Sequence, residues 1–309
     1  MSILSRFTDF ILHNRLQAMG VAFVIAYIPL LGSIGILIAG LVTLRKGALE
    51  GLLIVIATTL PYLLKYYTGF GGGGATDSDL ASIGLILTLV SNILVWVFAI
   101  VLRRYDNWSI VLEYSVLLGI VAIGMIHIVY PDIQTWWATQ LSHYFSKTTA
   151  MVSGLNTSSA EAQSQVIDLI KGYATGFIVV SILFNVLLQV ALARWWQAVR
   201  FNPGGLHKEL YQIRLSRVMG VLFIVGFGLS WAGNEIVMDI MPLLYSTFCA
   251  AGLCLAHYYF STKKNTWVWL IILYLLLIWL FPLSIVIIAL IALSDIWMDL
   301  RKRFVRPAG

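Results

Sequence analysis

The sequence predicts an all-α polytopic transmembrane helix bundle of about eight to ten passes, at roughly 20 apolar residues per pass. Three observations lead there. The chain is 60% hydrophobic and only 11% charged, with mean hydropathy +0.90, against about half and about a quarter for soluble domains. Its apolar residues gather into long uninterrupted stretches, and its basic residues fall overwhelmingly between alternate stretches.

The apolar stretches cover residues 16–44, 47–64, 80–102, 108–130, 172–199, 218–232, 236–260 and 267–297. Six read as single spans. The first and last overshoot about 30 Å of hydrocarbon at 1.5 Å per residue, so each needs tilt or a break. Each carries a break signal, Pro29 followed by Gly32 and Gly35 in the first and Phe281-Pro282 in the last, since proline removes a backbone donor and disfavours helix just before it. A kink and a hairpin of two short helices are both open at each place.

Between the spans, the loops around Arg45, Arg103, Arg200 and Lys263, together with both chain ends, hold seventeen of the twenty basic residues, and Lys65, Lys147 and Lys171 are the remainder. Lysine and arginine in short loops are retained on the cytoplasmic side. This predicts a multi-pass protein of the bacterial inner (cytoplasmic) membrane with both termini cytoplasmic, provided that the first and last runs each fold back. The amino-terminal segment is too polar for a signal-peptide core, so no cleavage is expected.

The chain reads as one transmembrane domain, 1–309, with an outer amphipathic insertion at about 131–171. There Trp136, Trp137, Leu141, Tyr144 and Phe145 recur at near-helical spacing, a Ser/Thr-rich turn follows at 153–159, and Val166, Leu169 and Ile170 mark a second helix. The glycine run 71–74 reads as a flexible connector. Pro203-Gly204-Gly205 reads as a turn leading into a short basic surface helix over 206–215.

Nucleotide-binding loops, zinc-ligand spacings and nucleophile elbows are missing from the sequence, and its five histidines have no metal-ligand spacing, so no enzyme activity, cofactor or metal is expected. The net charge of +6 is scattered between apolar runs, which argues against nucleic acid as a partner. Cys249 and Cys254, five apart in one span, lie on different faces and read as packing residues.

The candidate ligand-binding residues are Asn92, Asn185, Gln189, Glu235 and Asp239. Asn185 and Gln189 share a helical face in mid-span and Ser91-Asn92 lie mid-span on another helix; interhelical hydrogen bonds or contacts to a neutral polar ligand both account for them. Glu235 and Asp239, four apart near the outer end of a span, read as the lining of an outward-facing polar cavity, as a cation site, or as acids at the positive end of a helix dipole. Glu113 reads either as a structural carboxylate paired with Arg103 and Arg104 or as a proton carrier, and Glu50, beside Arg45 and Lys46, has the same two readings. His127 and His257 read as interfacial or bonded within the bundle. Ala18, Ala22 and Ala26 form a stripe for close helix packing, inside the bundle or against a partner helix.

Two stretches extend the reading beyond composition. The closing run from Ser294, Asp295 and Trp297 through Asp299 to Arg301-Lys302-Arg303 resembles the ending of the YybS-like family of uncharacterised bacterial polytopic membrane proteins. Pro203-Gly204-Gly205 with Glu209 and Arg214, and the opening from Ile28-Pro29 to Gly51, are similar to the same family. The resemblance implies a membrane fold and location rather than an activity. More remotely, Ala18, Ala22 and Ala26 match the alanine stripe that S components of energy-coupling-factor transporters dock on their transmembrane subunit, which implies a partner membrane subunit; a homo-oligomer is the other expected assembly.

Two functions follow as expectations. The first is transport-related, binding or moving a small polar or lipid-linked solute. The second is a scaffold or assembly partner whose helices and basic loops engage other subunits and the lipid bilayer. A lipid-modifying enzyme is third, because no paired acid and base is evident.

Overall fold

The computed structural model describes residues 3–28, 31–68, 78–151 and 160–304. Every regular element among them is an α-helix. In chain order these are α1 (Ile3–His13), α2 (Arg15–Tyr27), α3 (Gly32–Lys46), α4 (Ala48–Thr68), α5 (Ser78–Tyr105), α6 (Trp108–Val129), α7 (Ile133–Met151), α8 (Ala160–Lys171), α9 (Ala174–Phe201), α10 (Gly205–Tyr211), α11 (Arg217–Trp231), α12 (Glu235–Ser261), α13 (Thr266–Trp279), α14 (Leu283–Met298) and α15 (Leu300–Phe304). Five of them, α4, α5, α6, α9 and α12, are long and apolar enough to cross a bilayer. The protein is an all-α polytopic membrane bundle.

Both overlong runs are broken. The first divides into α2 and α3, with Ile28 extended at the end of α2; Pro29 and Leu30 lie outside the described residues. The last divides into α13 and α14 around the cis Phe281-Pro282 peptide. At 13 to 16 residues each, these four helices rise only about 20–24 Å. The stretch 218–232, expected as an ordinary span, is also short: α11 has 15 residues, stopped by Gly233 at φ +83 and the Asn234 cap of α12. The insertion at 131–171 forms two helices, α7 and α8, packed on each other, while the turn 153–159 and the glycine run 71–74 lie outside the described residues.

The chain divides into two compact units: residues 1–111 with 182–212, and residues 112–181 with 213–309. The boundaries fall within α6, within α9 and just after α10.

In the first unit α2, α3 and α4 pack on one another, and α5 packs on α3 and α4. The alanine stripe makes this possible. Ala18, Ala22 and Ala26 are fully buried inside the chain, and a Cβ on Gly35 of α3 would stand 3.1 Å from the Ala22 carbonyl oxygen and 2.9 Å from Thr58 of α4. Small residues let the three backbones approach, as membrane helices require where no hydrophobic force draws them together. Gly40 likewise admits Ala193 of α9. Helix α1, unforeseen in the sequence, is held by the Trp196 Nε1–H, which donates to Thr8 Oγ1 at 2.8 Å, and by Phe7 stacked on the same indole.

The second unit is built on α12 and α14. Gly252 faces the Ile288 backbone so closely that a Cβ would meet its carbonyl oxygen at 2.5 Å, and Leu244, Phe248, Ala289 and Ala292 are buried around it. Arg214 closes the end of α14 by donating to the Asp295 and Ile296 carbonyls at 2.8 and 2.9 Å. There Asp299 leaves the helix at φ +48, and its carboxylate pairs with Arg214 and Lys302.

Candidate functional site

Three of the candidate residues meet at one place. Asn92, Asn185 and Gln189 line a cavity of about 240 Å³ in the first unit. Helix α5 contributes Thr88, Ser91 and Asn92, at i, i+3 and i+4 on one face; α9 contributes Asn185 and Gln189; α3 contributes Gly32 and Ser33 at its first turn; α4 contributes Tyr62. None of the lining residues is charged. Asn92 and Gln189 lie near the middles of their 28-residue helices.

The polar groups are only partly satisfied by one another. Gln189 Nε2 donates to Asn185 Oδ1, and Asn92 Nδ2 donates to Thr59 Oγ1 at 3.2 Å. Gln189 Oε1 is buried and accepts no hydrogen bond. Leaving such an acceptor unmet costs about 1–3 kcal/mol, and buried unmet groups are rare enough in native proteins to call for a reason. At the start of α3, Leu31 caps the helix without a side-chain hydrogen bond, and its carbonyl accepts from the Ile34 N–H at 2.9 Å. Glycine at 32 leaves room for the Tyr62 hydroxyl in the wall, since a Cβ there would run into it. The break in the first apolar run thus opens the wall of the cavity.

Sequence reasoning singled out Ser91 and Asn92 but missed Ser33, Tyr62 and Thr88. The signal for Thr88 was present in its spacing from Ser91 and Asn92. Tyr62 and Ser33 join the site only through the packing of α3 on α4.

Glu235 and Asp239 belong to the second unit and part from each other. Glu235 is exposed in the first turn of α12, whereas Asp239 is fully buried. Its Oδ2 lies 2.8 Å from Nε2 of His127 on α6, and its Oδ1 accepts from the Gly176 backbone N–H of α9 at 3.1 Å. Asp239 is therefore an internal clamp of α6, α9 and α12. A Cβ on Gly176 would strike the Asp239 carbonyl oxygen, so only glycine lets α9 reach the carboxylate.

The remaining singled-out charges make local structural bonds. Glu113 accepts from the Ser216 N–H at the start of α11, and Arg103 donates to the Thr43 carbonyl. Glu50 pairs with Arg15 at 3.7 Å. Glu209 holds the basic helix α10 in place by pairing with Arg194 at 2.7 Å and accepting from Trp108 Nε1 at 3.1 Å. His257 bonds Tyr274 at 2.9 Å. Among the described residues no three His, Cys, Asp or Glu side chains gather as a metal site. Comparisons with protein-family models, curated proteins and solved structures find no match for this chain.

Proposed function

We propose that this integral membrane protein takes part in transport, binding and moving a small uncharged solute through the cavity lined by Asn92, Asn185 and Gln189. The buried, unmet Gln189 Oε1 carries the reading, because a bound molecule with a hydrogen-bond donor satisfies it. Hydroxyls and amides that donate and accept suit a polyol or amide; a charged solute would need a counter-charge that the lining does not supply. A cavity beside the broken α2–α3 run also fits the general pattern of transporters, whose sites use interrupted helices. The lopsided basic loops support a cytoplasmic-membrane location with both termini inside.

The test is thermal unfolding of the purified protein with a panel of neutral polyols and amides, with mass spectrometry of small molecules retained through gentle purification. A solute at a hundred times its Kd stabilises by about 2.7 kcal/mol. We expect at least one such shift in the native protein and its loss in Gln189→Leu and Asn92→Leu. A panel that shifts nothing, with no retained neutral solute, refutes the reading.

A further inference from the structure

The cavity has an apolar neighbour on the same two helices. A groove of about 260 Å³ lies along α4 and α5, lined by Leu52, Ile56, Leu60 and Leu63 of the former and Leu89 and Ile93 of the latter. Ile56, Leu60 and Ile93 are largely exposed and so face hydrocarbon. Thr59 lines the groove, and its Oγ1 accepts from Asn92 Nδ2 of the cavity wall. One hydrogen bond of 3.2 Å, at the long end of the normal range, joins the polar and apolar compartments. Thr59 also donates to the Val55 carbonyl at 2.7 Å, so it keeps a partner when Asn92 turns away.

We infer that the solute is the head of a lipid: an uncharged, hydroxyl- or amide-bearing head in the cavity, joined to a hydrocarbon chain that lies in the α4–α5 groove. This rests on the solute-binding reading above and adds the chain and the route, entry from the bilayer between α4 and α5 past Asn92 and Thr59. A chain leaving lipid for an apolar groove gains little, since lipid tails are as apolar as leucine. Selectivity therefore resides in the head, and the chain acts by holding that head at the seam at high effective concentration. A phosphate head is disfavoured because neither compartment carries a cation.

The experiment uses the full chain in phosphatidylcholine nanodiscs, with a monoacylglycerol bearing a diazirine in its chain, and free glycerol as the soluble counterpart. We expect saturable labelling on residues 52–63 and 89–93, at least tenfold weaker in Gln189→Leu and in Ile56→Trp, which fills the groove from its exposed side. Unfolding temperatures of both variants near the native value show that they are folded. Non-saturable label spread over all lipid-facing helices means ordinary boundary lipid and overturns the inference. A phosphate-headed probe that competes equally overturns it too. Free glycerol binding as tightly as the monoacylglycerol, unaffected by Ile56→Trp, overturns the lipid head but leaves the soluble-solute reading standing. If neither the monoacylglycerol nor the solute panel binds, both readings fall.

Discussion

Asp239 shows how one residue can decide a local structure. Its carboxylate is fully buried and met by His127 and by the Gly176 N–H. Removing one partner of a buried pair costs about 3–5 kcal/mol, chiefly by stranding the other, whereas replacing both with apolar groups often costs far less. His127→Leu is thus expected to destabilise strongly and the double change His127→Leu with Asp239→Leu less, read by thermal unfolding in detergent; equal and additive losses would show that the two do not act as a pair. Gly32→Ala tests the cavity with less damage to the fold. Its methyl displaces the Tyr62 hydroxyl, the movable end of a side chain, so solute binding is expected to weaken by about tenfold, one lost hydrogen bond's worth, while the unfolding temperature stays near native. At the end of α14 a hydrogen bond from Lys302, with the nearby Arg214 charge, holds the Asp299 carboxyl below its ordinary value. A lowered folded value stabilises above the unfolded value and is lost as pH falls through the folded one. The protection of the 299–303 amides, relative to the intrinsic exchange rate at each pH, should therefore fall below about pH 4, where an unperturbed aspartate takes up its proton, and in the Lys302→Met variant it should fall at a higher pH than in the native chain.

Glycine and alanine set the closest helix approaches in this protein. The contact of α12 with α14 rests on Gly252, where even a Cβ meets the Ile288 carbonyl oxygen. That atom belongs to a backbone and cannot swing aside. Gly252→Val is expected to force the two helices apart and lower stability by about 1–3 kcal/mol, the usual cost of overpacking, visible as a reduced unfolding temperature; an unchanged value would mean that α14 is held elsewhere. The same logic explains the alanine stripe: α2 spends its small face on α3 and α4 of its own chain. Asn14, Ser216 and Asn234 each cap a helix with a side-chain oxygen. Helix α1 was not legible, because its attachment depends on Trp196, far away in sequence.

For the whole molecule the testable matter is sidedness. Seventeen basic residues against three orient the loops only if the broken runs α2–α3 and α13–α14 return to the side on which they start. Phe304→Cys, in a chain with Cys249→Ala and Cys254→Ala, should react with a membrane-impermeant thiol reagent only after the cells are permeabilised. Labelling of intact cells would place the carboxyl end outside.

Composition and periodicity alone determined the solvent, the class of fold, every long span and both breaks, because each depends on a run of neighbours along the chain: twenty apolar residues, a proline, a cap. They also located Asn92, Asn185 and Gln189, since an amide in mid-span is costly wherever it points. Only tertiary structure decided which polar groups share a cavity and which close on each other. Asn185 and Gln189 met Asn92, Tyr62 and Ser33 across four helices, while Asp239, equal to them as a candidate, found His127 and was sealed. That difference turns on backbone approaches of a few ångströms at Gly32, Gly40 and Gly176, distances that belong to pairs of helices and are written in neither one alone.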